Sequence, residues 1–137
     1  MPGPAPNPNA RRRNVRPNTT QLPAEGYRGT IPEWPLTLAT KAESDAWKYF
    51  WSLPQASAWA QMRLSRTVAR YVRAVTAAER PGAAASVLTE ARQLEDRLGL
   101  TPMSMLRLRW EVVSDELTER RDEPTEVANV RRLFSAG

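Results

Sequence analysis

The sequence predicts an all-α fold, with one small helical domain and a flexible N-terminal arm. Apolar residues recur at steps of three and four in four segments between about residues 41 and 121, which is the spacing of a helix face. Residues 98–102, Leu-Gly-Leu-Thr-Pro, carry signals that end one helix and begin another. Gly99 can take the left-handed backbone that closes a helix, and Thr101 can cap a helix whose first residue is Pro102. The chain has 137 residues, enough for one domain and too few for two well-packed ones.

Composition excludes most enzyme classes. The chain has neither cysteine nor histidine, so it cannot build a disulfide, a thiolate nucleophile, or a Ser-His or Cys-His pair. It lacks the glycine-rich loop that holds nucleotide phosphates, and the acidic side chains between residues 115 and 123 are interpreted as surface charge. We therefore predict no catalytic residues, no metal and no cofactor. The net charge of +5 favours a polyanionic partner such as nucleic acid.

The sequence also predicts an intracellular protein without a membrane segment. No apolar run approaches the roughly 20 residues that a membrane-spanning helix needs. The N-terminal region has no apolar signal core, so nothing indicates export.

Residues 1–33 are predicted to form the disordered arm. Seven prolines and few apolar residues leave this segment too little surface to bury against its ordering entropy. Its charge is concentrated in four arginines: Arg11, Arg12, Arg13 and Arg16. Two interpretations remain open, a solvated arm or a basic arm that contacts DNA phosphates.

Residues 34–121 are predicted to be the helical core. An extended segment around Trp34 is expected to anchor on it, and a first helix is expected over residues 41–52. Thr40 and Glu43 have the spacing of a capping box. Trp47 and Trp51 are interpreted as core residues, with base stacking as the alternative.

A second helix is predicted over residues 54–79, with an apolar face and an opposite basic face. The basic face is formed by Arg63, Arg66, Arg70 and Arg73. Because no acidic residue lies between residues 55 and 78, these arginines are candidate contacts to DNA phosphates. The alternative is that they are solvated or paired with acidic residues of a neighbouring helix or subunit.

A third helix is predicted over residues 83–98 and a fourth over residues 102–121. The inward face of the third comprises Val87, Leu88, Ala91, Leu94 and Leu98. The fourth has two apolar stripes, and a helix that is apolar on two faces needs two partners. We therefore predict an oligomerisation surface on it, comprising Met103, Leu106 and Trp110 on one stripe and Met105, Leu108 and Val112 on the other. The alternative is that the second helix covers both stripes within a monomer.

Residues 122–137 are predicted to be a C-terminal tail with a short amphipathic helix that either docks on a partner or frays. Its Arg131 and Arg132 are a further candidate for DNA contact.

Four segments in this order resemble the small subunit of tailed-phage terminases. They are Pro32-Glu33-Trp34-Pro35-Leu36, the helix from Glu43 to Trp47, Val68-Ala69-Arg70-Tyr71, and Leu88 to Leu108, continuing to Glu111. The Leu-Gly-Leu-Thr-Pro signature at residues 98–102 is the most specific of them.

The resemblance implies a non-enzymatic protein of the infected host's cytoplasm. Such a subunit assembles into a ring of about eight to twelve copies, binds viral double-stranded DNA, and delivers it to the large terminase subunit, an ATPase and nuclease. Many relatives carry a helix-turn-helix near the N-terminus. Here the predicted second helix is too long for an ordinary recognition helix, so phosphate-dominated binding is favoured over base reading.

Two other classes remain open. A dimeric helical DNA-binding regulator would share the charge and the helices but would prefer palindromic sites. A structural adaptor would use the arginines to pair with neighbouring subunits and would not contact DNA.

Overall fold

The computed structural model describes residue 3 and residues 18–114. Within these residues the chain forms five helices and one small parallel sheet of two strands. In chain order the elements are β1 (Thr20–Pro23), α1 (Lys41–Trp51), α2 (Gln55–Met62), α3 (Ser65–Ala78), α4 (Ala85–Arg97), α5 (Pro102–Leu108) and β2 (Trp110–Val113). The fold is therefore mostly helical, as predicted, but it is not purely helical.

Aromatic side chains form the centre of the core. Trp51 packs against Trp47 and Trp59, with ring centroids 5.5 and 5.8 Å apart. Trp34 meets the edge of Trp47 at 5.2 Å, which anchors the extended segment as predicted. The buried Nε1 of Trp59 donates to the carbonyl of Leu98 at 2.9 Å. Trp47 and Trp51 are 5% and 1% exposed, so they are core residues and are unavailable for base stacking.

Local signals placed α1 and α4 correctly. The Thr40 hydroxyl accepts the backbone N–H of Glu43 at 3.2 Å, which caps α1. On α4, Ala91 and Leu94 are buried, and Leu98 is buried directly after the helix. Leu88 was predicted on the same inward face but is 50% exposed, so that assignment is wrong.

The predicted second helix is two helices, because the chain turns at Arg63 and Leu64. Arg63 has a left-handed backbone (φ 56°, ψ 47°), and the Leu64 N–H donates to the carbonyl of Trp59 at 3.0 Å. These are features of the Schellman ending, in which the residue after the left-handed one folds back onto the last turn. The turn places Leu64 against the core, and α3 then begins at Ser65.

The predicted fourth helix ends at Leu108, well before residue 121. Thr101 caps α5 and Pro102 begins it, as predicted. Arg109 then adopts a left-handed backbone (φ 58°), and the chain continues as β2. The carbonyl of Arg109 accepts the N–H of Thr20 at 2.8 Å, so pairing with β1 takes the place of further helix. The prediction of two apolar stripes on one long helix is therefore wrong.

The predicted disorder of residues 1–33 is wrong for residues 18–33. β1 pairs in parallel with β2, with Thr20 opposite Trp110 and Leu22 opposite Val112. Leu22 is 1% exposed, and the Tyr27 ring lies 5.7 Å from that of Trp51. The composition of residues 18–33 gave no indication that Leu22 and Tyr27 pack in the core. The rest of the arm and the C-terminal tail at 122–137 lie outside the described residues.

Among residues 18–114 no helix is long and apolar enough to cross a membrane.

Candidate DNA-binding surface

Of the four arginines predicted on the basic face of the second helix, three are exposed around the α2–α3 turn. Arg63 occupies the turn, Arg66 lies in the first turn of α3, and Arg70 follows one helical turn later. Residues four apart on a helix have Cβ atoms about 6 Å apart, so Arg66 and Arg70 project side by side. Within the described part of the chain none of the three forms an ion pair.

The first turn of α3 adds to this positive potential. Leu64, which precedes the helix, gives it no side-chain cap, and its first turn contains no acidic residue. The free N–H groups of a helix start carry a partial positive charge that favours anions and disfavours cations. Arg63 and Arg66 are therefore placed where the fold itself gains nothing from their charge. An anion bound here would interact with both the guanidinium groups and the helix start.

Arg73 is the exception, because it ties three parts of the fold together. Its Nε donates to Glu43 Oε2 at 2.9 Å, which joins α3 to α1. Its Nη2 donates to the carbonyl of Thr37 at 2.9 Å, which holds the segment before α1. The guanidinium carbon lies 5.3 Å from the ring centroid of Trp34, within cation–π range. The geometry therefore assigns Arg73 a structural role in place of the predicted DNA contact.

The partner of Arg73 is held ionised by its surroundings. Burial by itself would raise the pKa of Glu43, whose residue is 7% exposed. Hydrogen bonds from Arg73 and Thr40, together with the Arg73 charge, outweigh burial and hold the pKa of Glu43 below its ordinary value. Arg73 is therefore paired with a carboxylate that stays charged at neutral pH.

The six predicted oligomerisation residues separate into two groups. Trp110 is 8% exposed and belongs to the core, and Met105 packs against the core, so neither offers a free surface. The other four side chains are 39–64% exposed: Met103, Leu106, Leu108 and Val112. They lie on α5 and β2, which are in contact, and we call them the α5–β2 patch.

For Arg73 the alternative of pairing with an acidic residue of a neighbouring helix is confirmed, but the sequence did not identify Glu43 as the partner, because the two residues are 30 positions apart on different helices. A usable signal was present, since Glu43 lies four and eight residues before Trp47 and Trp51, on the same buried face of α1, and a buried carboxylate needs a cation. The other basic candidates, Arg11, Arg12, Arg13, Arg16, Arg131 and Arg132, lie outside the described residues.

Comparison with known proteins identifies the family. Residues 1–135 match the family model described as phage terminase small subunit. Neither the curated proteins nor the solved structures gave a match. The family is generally the non-catalytic component of the packaging machinery, which acts on phage DNA in the infected cell together with a large subunit. Because the match covers nearly the whole sequence, this chain belongs to the phage terminase small subunit family and has a role in phage DNA packaging.

Proposed function

We propose that this chain binds viral double-stranded DNA as an oligomeric ring and delivers it to the large terminase subunit without catalysing a reaction itself. The observation that carries the proposal is a set of three exposed arginines at the α2–α3 turn, none of them ion-paired within residues 18–114, which we call the α2–α3 basic corner (Arg63, Arg66 and Arg70). Membership of the packaging family supports DNA as the polyanion.

Binding at this corner is dominated by phosphate contacts. Guanidinium groups bind phosphate oxygens in a bidentate manner, and each contact releases counterions from the duplex. The α2–α3 basic corner supplies three such groups beside the start of α3, and a ring repeats the set in every copy. Affinity that depends on phosphates suits a protein that must hold DNA of varied sequence while it is transferred.

The α5–β2 patch is the surface that we propose for contact between copies. Its four exposed apolar side chains lie on two elements that contact each other, α5 and β2, and exposed apolar clusters mark interaction sites more often than scattered apolar residues do. A ring needs a head-to-tail contact that closes, so this patch would meet a different surface of the next copy.

The DNA test is a variant of the full chain in which Arg63, Arg66 and Arg70 are each replaced by Gln. If each arginine neutralises one phosphate, the slope of log affinity against log salt falls by 0.9 per contact, or about 2.7 for each bound protomer. The matched control replaces three exposed arginines elsewhere, Arg80, Arg92 and Arg97, which changes the net charge equally. Equal slopes for the two variants would contradict binding at the α2–α3 basic corner.

The assembly test is native mass spectrometry at moderate salt. The proposal expects a closed species of about eight to twelve copies. Replacing Met103 and Leu106 with Glu should dissociate it, whereas Leu38→Glu should not, because Leu38 is 96% exposed outside the α5–β2 patch. A wild-type protein that is monomeric at all concentrations would contradict the ring.

The second candidate function is a dimeric DNA-binding regulator, and one observation favours it. The break at Arg63 produces a short α2 of 8 residues and an α3 of 14 residues, joined by two residues. Helix length therefore no longer excludes a recognition helix. A dimer in the mass spectrum, combined with preference for a palindromic site, would favour the regulator over the packaging ring.

A further inference from the structure

A groove between α3 and α4 lies beside the α2–α3 basic corner and shares Arg70 with it. It has a volume of about 360 Å³. Its floor is apolar, formed by Ala74 and Ala77 of α3 and by Val87 of α4. Arg70 and Arg73 line the α3 side, and Ser86 and Glu90 line the α4 side. The small alanine side chains are what leave space between two helices that otherwise pack closely.

The volume sets the size of the occupant. A cavity of about 150 Å³ accommodates one benzene-sized group. A groove of about 360 Å³ therefore accommodates about two large apolar side chains. Two such side chains on one helix face lie three or four residues apart.

We propose that this groove binds the C-terminal segment of the chain itself, residues 127–134. The segment reads Val-Ala-Asn-Val-Arg-Arg-Leu-Phe. Val130 and Phe134 are four residues apart, with Leu133 beside them, so a single helical turn presents the two large side chains that the groove accommodates.

The groove presents charged side chains that the segment can pair. Arg70 and Glu90 are both exposed at the groove and neither is ion-paired within the described part of the chain. The segment has Glu126 before its apolar residues and Arg131 and Arg132 among them. Glu90 is therefore available to Arg131 or Arg132, and Arg70 to Glu126, which directly precedes the segment.

The chain is long enough to reach the groove. The described residues end at Ser114, and residues 115–126 separate it from Val127, which makes thirteen Cα-to-Cα steps. Extended chain spans about 3.4 Å per residue, which gives about 44 Å. A domain of about 100 residues has a radius of gyration of about 13 Å, so the segment reaches most of the surface of its own domain. It also reaches a neighbouring copy in an assembly.

Disulfide trapping in the full chain tests the proposal, since the protein contains no cysteine of its own. The trapping variant carries Ser86→Cys in the groove and Val130→Cys in the segment. The matched control carries Arg92→Cys with Val130→Cys, because Arg92 is exposed on α4 but does not line the groove. Without docking, the thiol introduced by Val130→Cys would meet both positions at similar effective concentration, so docking is expected to accelerate the Ser86 pair by roughly tenfold or more.

A third variant adds Phe134→Asp to the trapping pair and should reduce its rate to that of the control. Both trapping variants, with and without Phe134→Asp, should unfold cooperatively, which would show that the domain is intact, and the Phe134→Asp variant should be slightly less stable because it lacks docking. Non-reducing electrophoresis reports whether the disulfide lies within one chain or between copies, and both products support docking when the rate ratio holds. Equal rates for the Ser86 and Arg92 pairs would overturn the proposal, whatever the result of the DNA test.

Discussion

The structure divides four arginines that look equivalent in the sequence, and this division can be tested by comparing Arg73→Gln with Arg70→Gln. Arg73→Gln removes the two 2.9 Å hydrogen bonds to Glu43 and Thr37 and leaves the buried carboxylate of Glu43 without its cation. Breaking a fully buried ion pair costs about 3–5 kcal/mol, but the Arg73 side chain is 39% exposed. We therefore expect a loss of about 3 kcal/mol in the free energy of unfolding, the low end of that range.

Arg70→Gln should behave in the opposite way. Arg70 is exposed and unpaired in the described part of the chain, so its replacement should change the free energy of unfolding by less than about 0.5 kcal/mol. It should instead lower the salt slope of DNA affinity by about 0.9, which Arg73→Gln should leave unchanged.

Two assays separate the effects. Urea unfolding followed by tryptophan fluorescence gives the stability of both variants, because the five tryptophans include Trp34 beside Arg73. Titration of labelled duplex DNA at several salt concentrations, below the unfolding range, gives the slope. The division is refuted if Arg73→Gln costs less than about 1 kcal/mol, or if it lowers the salt slope as much as Arg70→Gln does.

Three further predictions concern stability. The pKa of Glu43 is depressed in the folded state, so the stability that its ionised carboxylate contributes is present above the unfolded pKa and is lost as the pH falls through the folded pKa. The urea midpoint of Glu43→Gln should therefore fall less steeply than that of the wild type between about pH 7 and 3. Gly99→Ala should lower the free energy of unfolding, measured by thermal denaturation, by about 2–4 kcal/mol, since φ is +72° and a Cβ would collide with the ring of Trp110. Its control is Gly82→Ala, which should cost only about 1 kcal/mol in that assay, because φ is +76° but nothing lies within 4 Å of the added Cβ. Arg63→Gly should raise the thermal midpoint by relieving about 1 kcal/mol of left-handed strain while lowering the salt slope of DNA binding; a lower midpoint would contradict the assignment of strain.

Signals within a few residues predicted much of the fold. The Thr40 cap, the Gly99 ending and the Thr101-Pro102 start each act through hydrogen bonds within one helical turn, and all three are present. The tryptophans were also assigned to the core correctly, because side chains of that size at helical spacing need a partner surface. Such features depend on local chemistry, which a single sequence contains.

Contacts between distant residues could not be predicted in the same way. β1 and β2 lie near opposite ends of the described chain, and neither strand alternates clearly enough to reveal its partner. Arg73 looked like another member of a basic stripe because Glu43, which holds it, is on another helix. Helical spacing places a side chain on a face, but the neighbouring element decides what that face contacts.

Both helix breaks that the sequence did not reveal have the same physical cause. Arg63 and Arg109 adopt left-handed backbones, which cost a residue with a Cβ about 1–2 kcal/mol and therefore usually mark glycine. At Arg109 the fold offsets the cost, because the turn allows β2 to pair with β1 and buries Trp110. At Arg63 the turn buries part of Leu64, but glycine would allow the same turn without strain. The Arg63 side chain forms no ion pair in the described residues, so the folded monomer gains nothing visible from arginine there. A contact between Arg63 and the DNA proposed at the α2–α3 basic corner would offset this strain, and Arg63→Gly tests both effects in one variant.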